Sequence, residues 1–191
     1  MASPNIIVKI DGLQELRDAL RDFPRKLRKK LLAKPLRQAA NILRDEARGG
    51  APVLQTAARH RRPGTIRRNI VVRTSKFSSR AGNVGLYVSV RPLSGSRQKK
   101  LGRAGATNPN DPYYWWWQEF GWVAGGGRIR GGVRRRALEK SRRLQSGQAR
   151  KIPGKHFMTG AYRSKGQTAL ETLGREAVLA VQQLNIKGAS A

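Results

Sequence analysis

Between Ala47 and Asn110 the chain carries fourteen lysines and arginines and no aspartate or glutamate. Such a stretch has no local carboxylate to pair with, so it resists burial and repels itself. A second basic block runs from Arg128 to Lys165 with Glu139 as its one acid. Across 191 residues, 40 Lys and Arg stand against 11 Asp and Glu, a formal net charge of +29. The acids cluster at the start, in Asp11, Glu15, Asp18, Asp22, Asp45 and Glu46, and the segment 166–191 is near balance. The two ends therefore read as ordinary amphipathic structure. The middle carries polycation character, and its expected partner is nucleic acid or an acidic protein surface inside an assembly.

The ends read as helices. Leu13, Leu16, Leu20, Phe23, Leu27 and Leu31 recur every three or four residues, one face of a helix. Asp11 with Gln14 offers a capping box, and Pro24 suits the first turn of a restarted helix. Leu32, Leu36, Ala39, Leu43 and Ala47 extend the stripe to Gly49-Gly50-Ala51-Pro52, and Pro35 is expected to kink or interrupt it. Leu170, Leu173, Ala177, Val181 and Leu184 repeat the pattern, with Ser164 and Gln167 as a start signal. Helices over 12–48 and 165–184 are expected.

The middle reads as strands. Ile66–Arg73 and Val84–Arg91 are β-branched runs, Tyr113–Phe120 is strongly β-prone, and Asn5–Ile10 suits a short edge strand. Segments Leu93–Asp111 and Ala124–Gly132 read as flexible loops, the second leading into an arginine-rich piece. The pattern predicts a single α+β domain over 1–191. In it, an antiparallel sheet of about four strands carries both long helices on one face, with basic insertions at about 93–111 and 124–151.

Several chemistries are disfavoured. No apolar run is long enough for a membrane-spanning helix, and the opening residues show no secretory pattern. Cysteine is absent, which removes disulfides, thiolate metal sites and a cysteine nucleophile, and fits a reducing compartment. Asp111, Glu119 and Glu139 are scattered, and His60 and His156 stand alone in basic surroundings. The glycines at 125–127 and 131–132 fit no phosphate-loop pattern. No catalytic residue, metal or cofactor is expected, and the chain reads as a non-enzyme.

The aromatic run needs its own account. In a strand, Tyr113, Trp115 and Trp117 would share one face, and Tyr114, Trp116, Phe120 and Trp122 the other. A sheet covered on one side would expose one set, as a subunit contact or a base-stacking platform. Glu119, beside these rings, is expected to pair with an arginine within or between subunits.

The order of segments resembles the tail-completion (head–tail joining) proteins of long-tailed bacteriophages, a family including proteins like the minor tail protein Z of phage lambda. Gly12, Leu13 and Leu16 match its first motif, and Ala51, Pro52, Gly64, Ile66, Arg67 and Ile70 its second. Tyr113, Glu119, Phe120 and Gly121 match the third, and Pro153 with Phe157 the fourth. Pro63, Trp122 and Thr159-Gly160 depart from the pattern, and Gln55–Arg62 and 124–151 look like insertions.

The resemblance implies a small virion subunit, a homo-oligomeric and most simply hexameric ring at the head–tail junction, made in the host cytoplasm. Its neighbours would be other neck and tail-tube proteins, and genomic double-stranded DNA would pass through without sequence readout. On this reading Arg59, Arg61, Arg62, Lys99, Lys100, Arg103, Arg128, Arg130, Arg134, Arg135 and Arg136 contact DNA or another polyanion. Tyr114, Trp116, Glu119, Phe120 and Trp122 lie at a subunit interface. The alternative is a non-enzymatic nucleic-acid-binding protein of ribosomal or nucleoid type. A third reading has the basic loops grip acidic neighbouring subunits.

Overall fold

The computed structural model describes residues 25–56, 60–81, 83–125 and 133–189. In chain order the elements are α1 (Arg25–Gly50), α2 (Thr65–Asn69), β1 (Ile70–Thr74), α3 (Lys76–Arg80), β2 (Leu86–Val90) and α4 (Ser96–Leu101). There follow α5 (Trp115–Phe120), β3 (Trp122–Gly125), α6 (Val133–Gln145), β4 (Ala149–Ile152) and α7 (Phe157–Ala189). The fold is α+β, as the pattern predicts. Among the described residues four strands form, but as two antiparallel pairs, β1–β2 and β3–β4, rather than as one sheet. The proposed Asn5–Ile10 strand and the helical stripe through Phe23 lie outside the described residues.

The chain divides into two compact units: Met1–Gly50, Ile70–Arg91 and Gly160–Ala191 form the first, Ala51–Asn69 and Pro92–Thr159 the second. In the first unit, α1 packs on the β1–β2 hairpin. Ile70 lies opposite Val90 and Val72 opposite Val88, so one face of the hairpin is apolar. Ile70 and Val90 are buried. The other face pairs Arg73 with Tyr87, and the guanidinium lies 5.8 Å from the ring centre. Arg48 at the end of α1 donates from Nε and Nη2 to the Ile70 carbonyl at 3.1 and 2.8 Å, which ties helix to hairpin.

Helix α7 runs antiparallel to α1. The Ser164 hydroxyl donates to Glu46 at 3.1 Å, while Ala177 packs on Leu31 and Leu32. The buried positions along these helices are mostly small: Ala39, Ala47, Ala161, Ala169 and Ala177. Leu31, Leu32, Leu36 and Leu43 remain half-buried. Small residues let backbones approach closely, which leaves the leucines of each stripe at the margins of the contact.

Three sequence expectations are corrected here. Pro35 does not interrupt α1, which runs unbroken from Arg25 to Gly50. Proline deprives the Leu31 carbonyl of its usual donor, but the Pro35 ring is fully buried, and that apolar burial offsets the loss. The run Ile66–Arg73 is not one strand: Gly64, at φ +70°, starts the helix α2, and extended backbone begins at Ile70. Helix α7 begins at Phe157, ahead of the Ser164 signal, because its N-terminus is capped from elsewhere in the chain, as described below.

Candidate assembly and polyanion surfaces

In the second unit, Tyr113–Phe120 is helical where alternation predicts a strand. Pro112 accepts from the Trp115 N–H at 2.8 Å to open the turn, and Gly121, at φ +81°, closes α5 by donating to the Trp117 carbonyl. Helical spacing then pairs rings four apart. The Trp116 and Phe120 centroids lie 4.3 Å apart, and those of Tyr113 and Trp117 5.8 Å. Trp116, Trp117, Phe120 and Trp122 are exposed by 55, 47, 48 and 37 %. The expected interface set is thereby split. Trp116, Phe120 and Trp122 do face solvent, but Tyr114 is buried under the Arg61 guanidinium, 5.2 Å from its ring centre.

Glu119 is buried too, only 1 % exposed, and its partner is not an arginine. Its carboxylate accepts from the backbone N–H groups of Met158 and Thr159, both at 2.9 Å, and from the Thr159 hydroxyl at 2.6 Å. These are the second and third residues of α7, the donors an N-cap side chain normally satisfies. The residue in the cap position is His156, at φ +50°, whose side chain offers no oxygen. Glu119 replaces it from across the unit and places a negative charge at the positive end of the helix dipole. The Gln118 and Glu119 carbonyls accept from the Lys155 and His156 N–H groups at 2.7 and 3.1 Å.

That backbone approach explains both neighbouring glycines. A Cβ on Gly121 would strike the Ile152 carbonyl oxygen and the Gly154 nitrogen, and one on Gly154 would strike the Glu119 carbonyl oxygen. The Glu-Phe-Gly motif and the Pro-Gly-Lys-His-Phe motif are therefore two halves of one joint. Sequence reasoning found both motifs and missed their contact, because a buried carboxylate capping a distant helix leaves no local spacing signal.

The first expected flexible loop is structured. Leu93–Asp111 contains α4 and is pinned by two buried polar side chains. Asp111 accepts from the Leu93 and Gly105 N–H groups, and Asn108 donates to the Leu101 and Arg103 carbonyls at 2.7 and 3.0 Å. Residues 126–132 of the second lie outside the described residues; β3 and β4 at the ends of the 124–151 insertion pair Trp122 with Ile152 through Gly125 with Ala149, and α6 packs on β4. Arg61, Arg62, Lys99, Lys100, Arg103 and Arg136 are exposed. Arg134 and Arg135 fall in the first turn of α6. Arg59, Arg128 and Arg130 lie outside the described residues.

The second unit spans twenty lysines and arginines against three acids. All three acids are engaged within it: Asp111 and Glu119 on backbone donors, and Glu139 on Arg143 at 3.0 Å. Its exposed cations therefore find no neutralising carboxylate inside the unit.

A family profile described as "Bacteriophage HK97-gp10, putative tail-component" matches residues 14–121. The chain belongs to this HK97-gp10-like bacteriophage family. The matched stretch ends at Gly121, the last residue of the Glu-Phe-Gly motif, where α5 closes. Membership of a phage tail-component family supports a structural role in a virion, in line with the segment order. No curated protein and no solved structure matches the chain.

Proposed function

We propose that the chain is a non-enzymatic structural subunit that forms a homo-oligomeric ring at the phage head–tail junction, around the path of the genomic DNA. The observation that carries this reading is the make-up of the second unit. It combines exposed cations lacking internal carboxylate partners with a compact row of exposed rings on α5. Exposed aromatic clusters of this size in a polar surface mark protein contacts. Trp116, Phe120 and Trp122 form the subunit contact, and the basic segments face DNA. The hexameric count follows by analogy with head–tail joining proteins. Phosphate contact without base readout suits a surface along which DNA must travel. A non-enzymatic role accords with the use of Asp111, Glu119 and Glu139 as structural hydrogen-bond and ion-pair partners.

The test is to locate the chain in intact particles by cryo-electron microscopy and count its copies. A single ring at the neck is expected. One copy per particle, or copies dispersed along the tail, would refute the ring. A ring whose basic loops touch only acidic neighbouring subunits would transfer the polyanion role from DNA to protein.

A further inference from the structure

A cationic feature of the second unit lies where α2 meets α4. The Asn69 side chain, 7 % exposed, donates to the Thr65 carbonyl at 2.8 Å and accepts from Arg97 Nη2 at 2.7 Å. The Thr65 hydroxyl lies 3.0 Å from the Pro109 carbonyl and 2.9 Å from that of Arg62, so α2 is itself anchored. A buried amide on one helix thus sets the direction of a guanidinium on the other. Arg97 Nη1 is enclosed and has no acceptor; among the described residues it is the one such side-chain donor. An unmet buried donor of this kind costs about 1–3 kcal/mol. Arg67 and Arg68 on α2, with Lys99 and Lys100 on α4, are exposed, and none forms an ion pair among the described residues.

We propose that α2 and α4 form a preorganised clamp for the phosphodiester backbone of duplex DNA, with Arg97 as its fixed fork and Asn69 as the residue that positions it. This rests on the reading that the second unit faces genomic DNA. A guanidinium fork takes two oxygens of one phosphate, and its planar geometry loses little freedom when it does so. Arg97 is part-exposed; Nη1 stays enclosed, and the Nε–Nη2 edge, fixed by Asn69, is the side an oxyanion approaches. One carboxylate would leave the surrounding four cations unneutralised. Duplex DNA supplies one negative charge per roughly 1.7 Å of axis and meets them all.

The experiment measures binding of the full-length protein to a short mixed-sequence duplex as a function of salt. Arg97→Lys keeps the charge and loses the fork. Asn69→Ala keeps every charge and releases the fork. Each is expected to weaken binding about tenfold, while Arg97→Gln, which removes the charge, is expected also to lower the slope of log K against log salt by about one phosphate contact, roughly 0.9. Arg37→Gln, on α1 and outside the basic segments, removes one charge and is expected to leave that slope unchanged. Far-ultraviolet circular dichroism checks folding, and if Asn69→Ala does not fold, the two Arg97 variants carry the test alone. Wild-type affinity in Arg97→Lys together with an unchanged slope in Arg97→Gln overturns the clamp and leaves the DNA reading standing. A wild type that ignores duplex DNA but binds polyglutamate overturns the DNA reading itself.

Discussion

Glu119 makes three hydrogen bonds from a site that water hardly reaches, and its donors open the longest described helix of the chain. Glu119→Gln keeps one acceptor oxygen and turns a donor toward one of the N–H groups. The expected loss is about 1–3 kcal/mol of unfolding free energy. It should appear as a lower urea midpoint at unchanged m-value. A midpoint within error of wild type would show that α7 does not need this cap. Tyr114 makes a second residue-scale prediction. Burial raises its phenol pKa above the ordinary 10.0; Arg61 pulls it back, and Tyr113 adds to the rise. The folded value exceeds the unfolded one, so this contribution is complete below about pH 10 and is lost as pH climbs through the folded value. Unfolding free energy should fall more steeply between about pH 9 and pH 11 in wild type than in Tyr114→Phe. Equal slopes would place the phenol in water in the folded state.

At the scale of elements, α5 shows how context overrides propensity. Tryptophan, tyrosine and phenylalanine favour strands because they pack well on a pleated surface. Here the Pro112 turn opens the segment, Gly121 closes it, and the Glu119 joint holds α5 as helix. The consequence is a change of face. Trp116 and Phe120 come together, and Glu119 points inward between turns of exposed rings. Replacing both Trp116 and Phe120 by serine should cost the monomer only about 1–3 kcal/mol, since each ring is about half-exposed and packs mainly on the other. The same variant should fail to enter particles in a complementation assay. Normal incorporation would assign these rings no role in the subunit contact; a large stability loss would show that they belong to the core.

At the scale of the whole molecule, self-repulsion dominates. A net charge of +29 on 191 residues destabilises any compact state, and salt screens it within a Debye length of about 8 Å at physiological ionic strength. Thermal stability should therefore rise on going from low salt to about 0.5 M sodium chloride, and rise further with a short duplex that binds the folded form. Scanning calorimetry checks this, and a melting temperature that falls with salt would mean that internal ion pairs outweigh repulsion. The four ion pairs among the described residues argue otherwise, since each joins residues one, three or four apart in sequence and touches solvent.

Much of this was settled by the sequence itself. Periodicity placed α1 and the body of α7, because a helical stripe is a local signal that survives any packing. β-Branched runs placed β1 and β2 and implied their pairing. Charge counting alone marked the basic middle, and motif order pointed to the phage family. Other features waited for the tertiary structure. The three acids of the second unit became a loop pin, a helix cap and an ion-pair partner only once their donors were brought near. Tyr114 left the solvent-facing set when Arg61 covered it, and Arg97 gained its direction from an amide twenty-eight residues away in sequence. The reason is physical: spacing along a chain records which face a side chain takes, whereas burial and hydrogen bonding depend on what arrives from elsewhere in the fold.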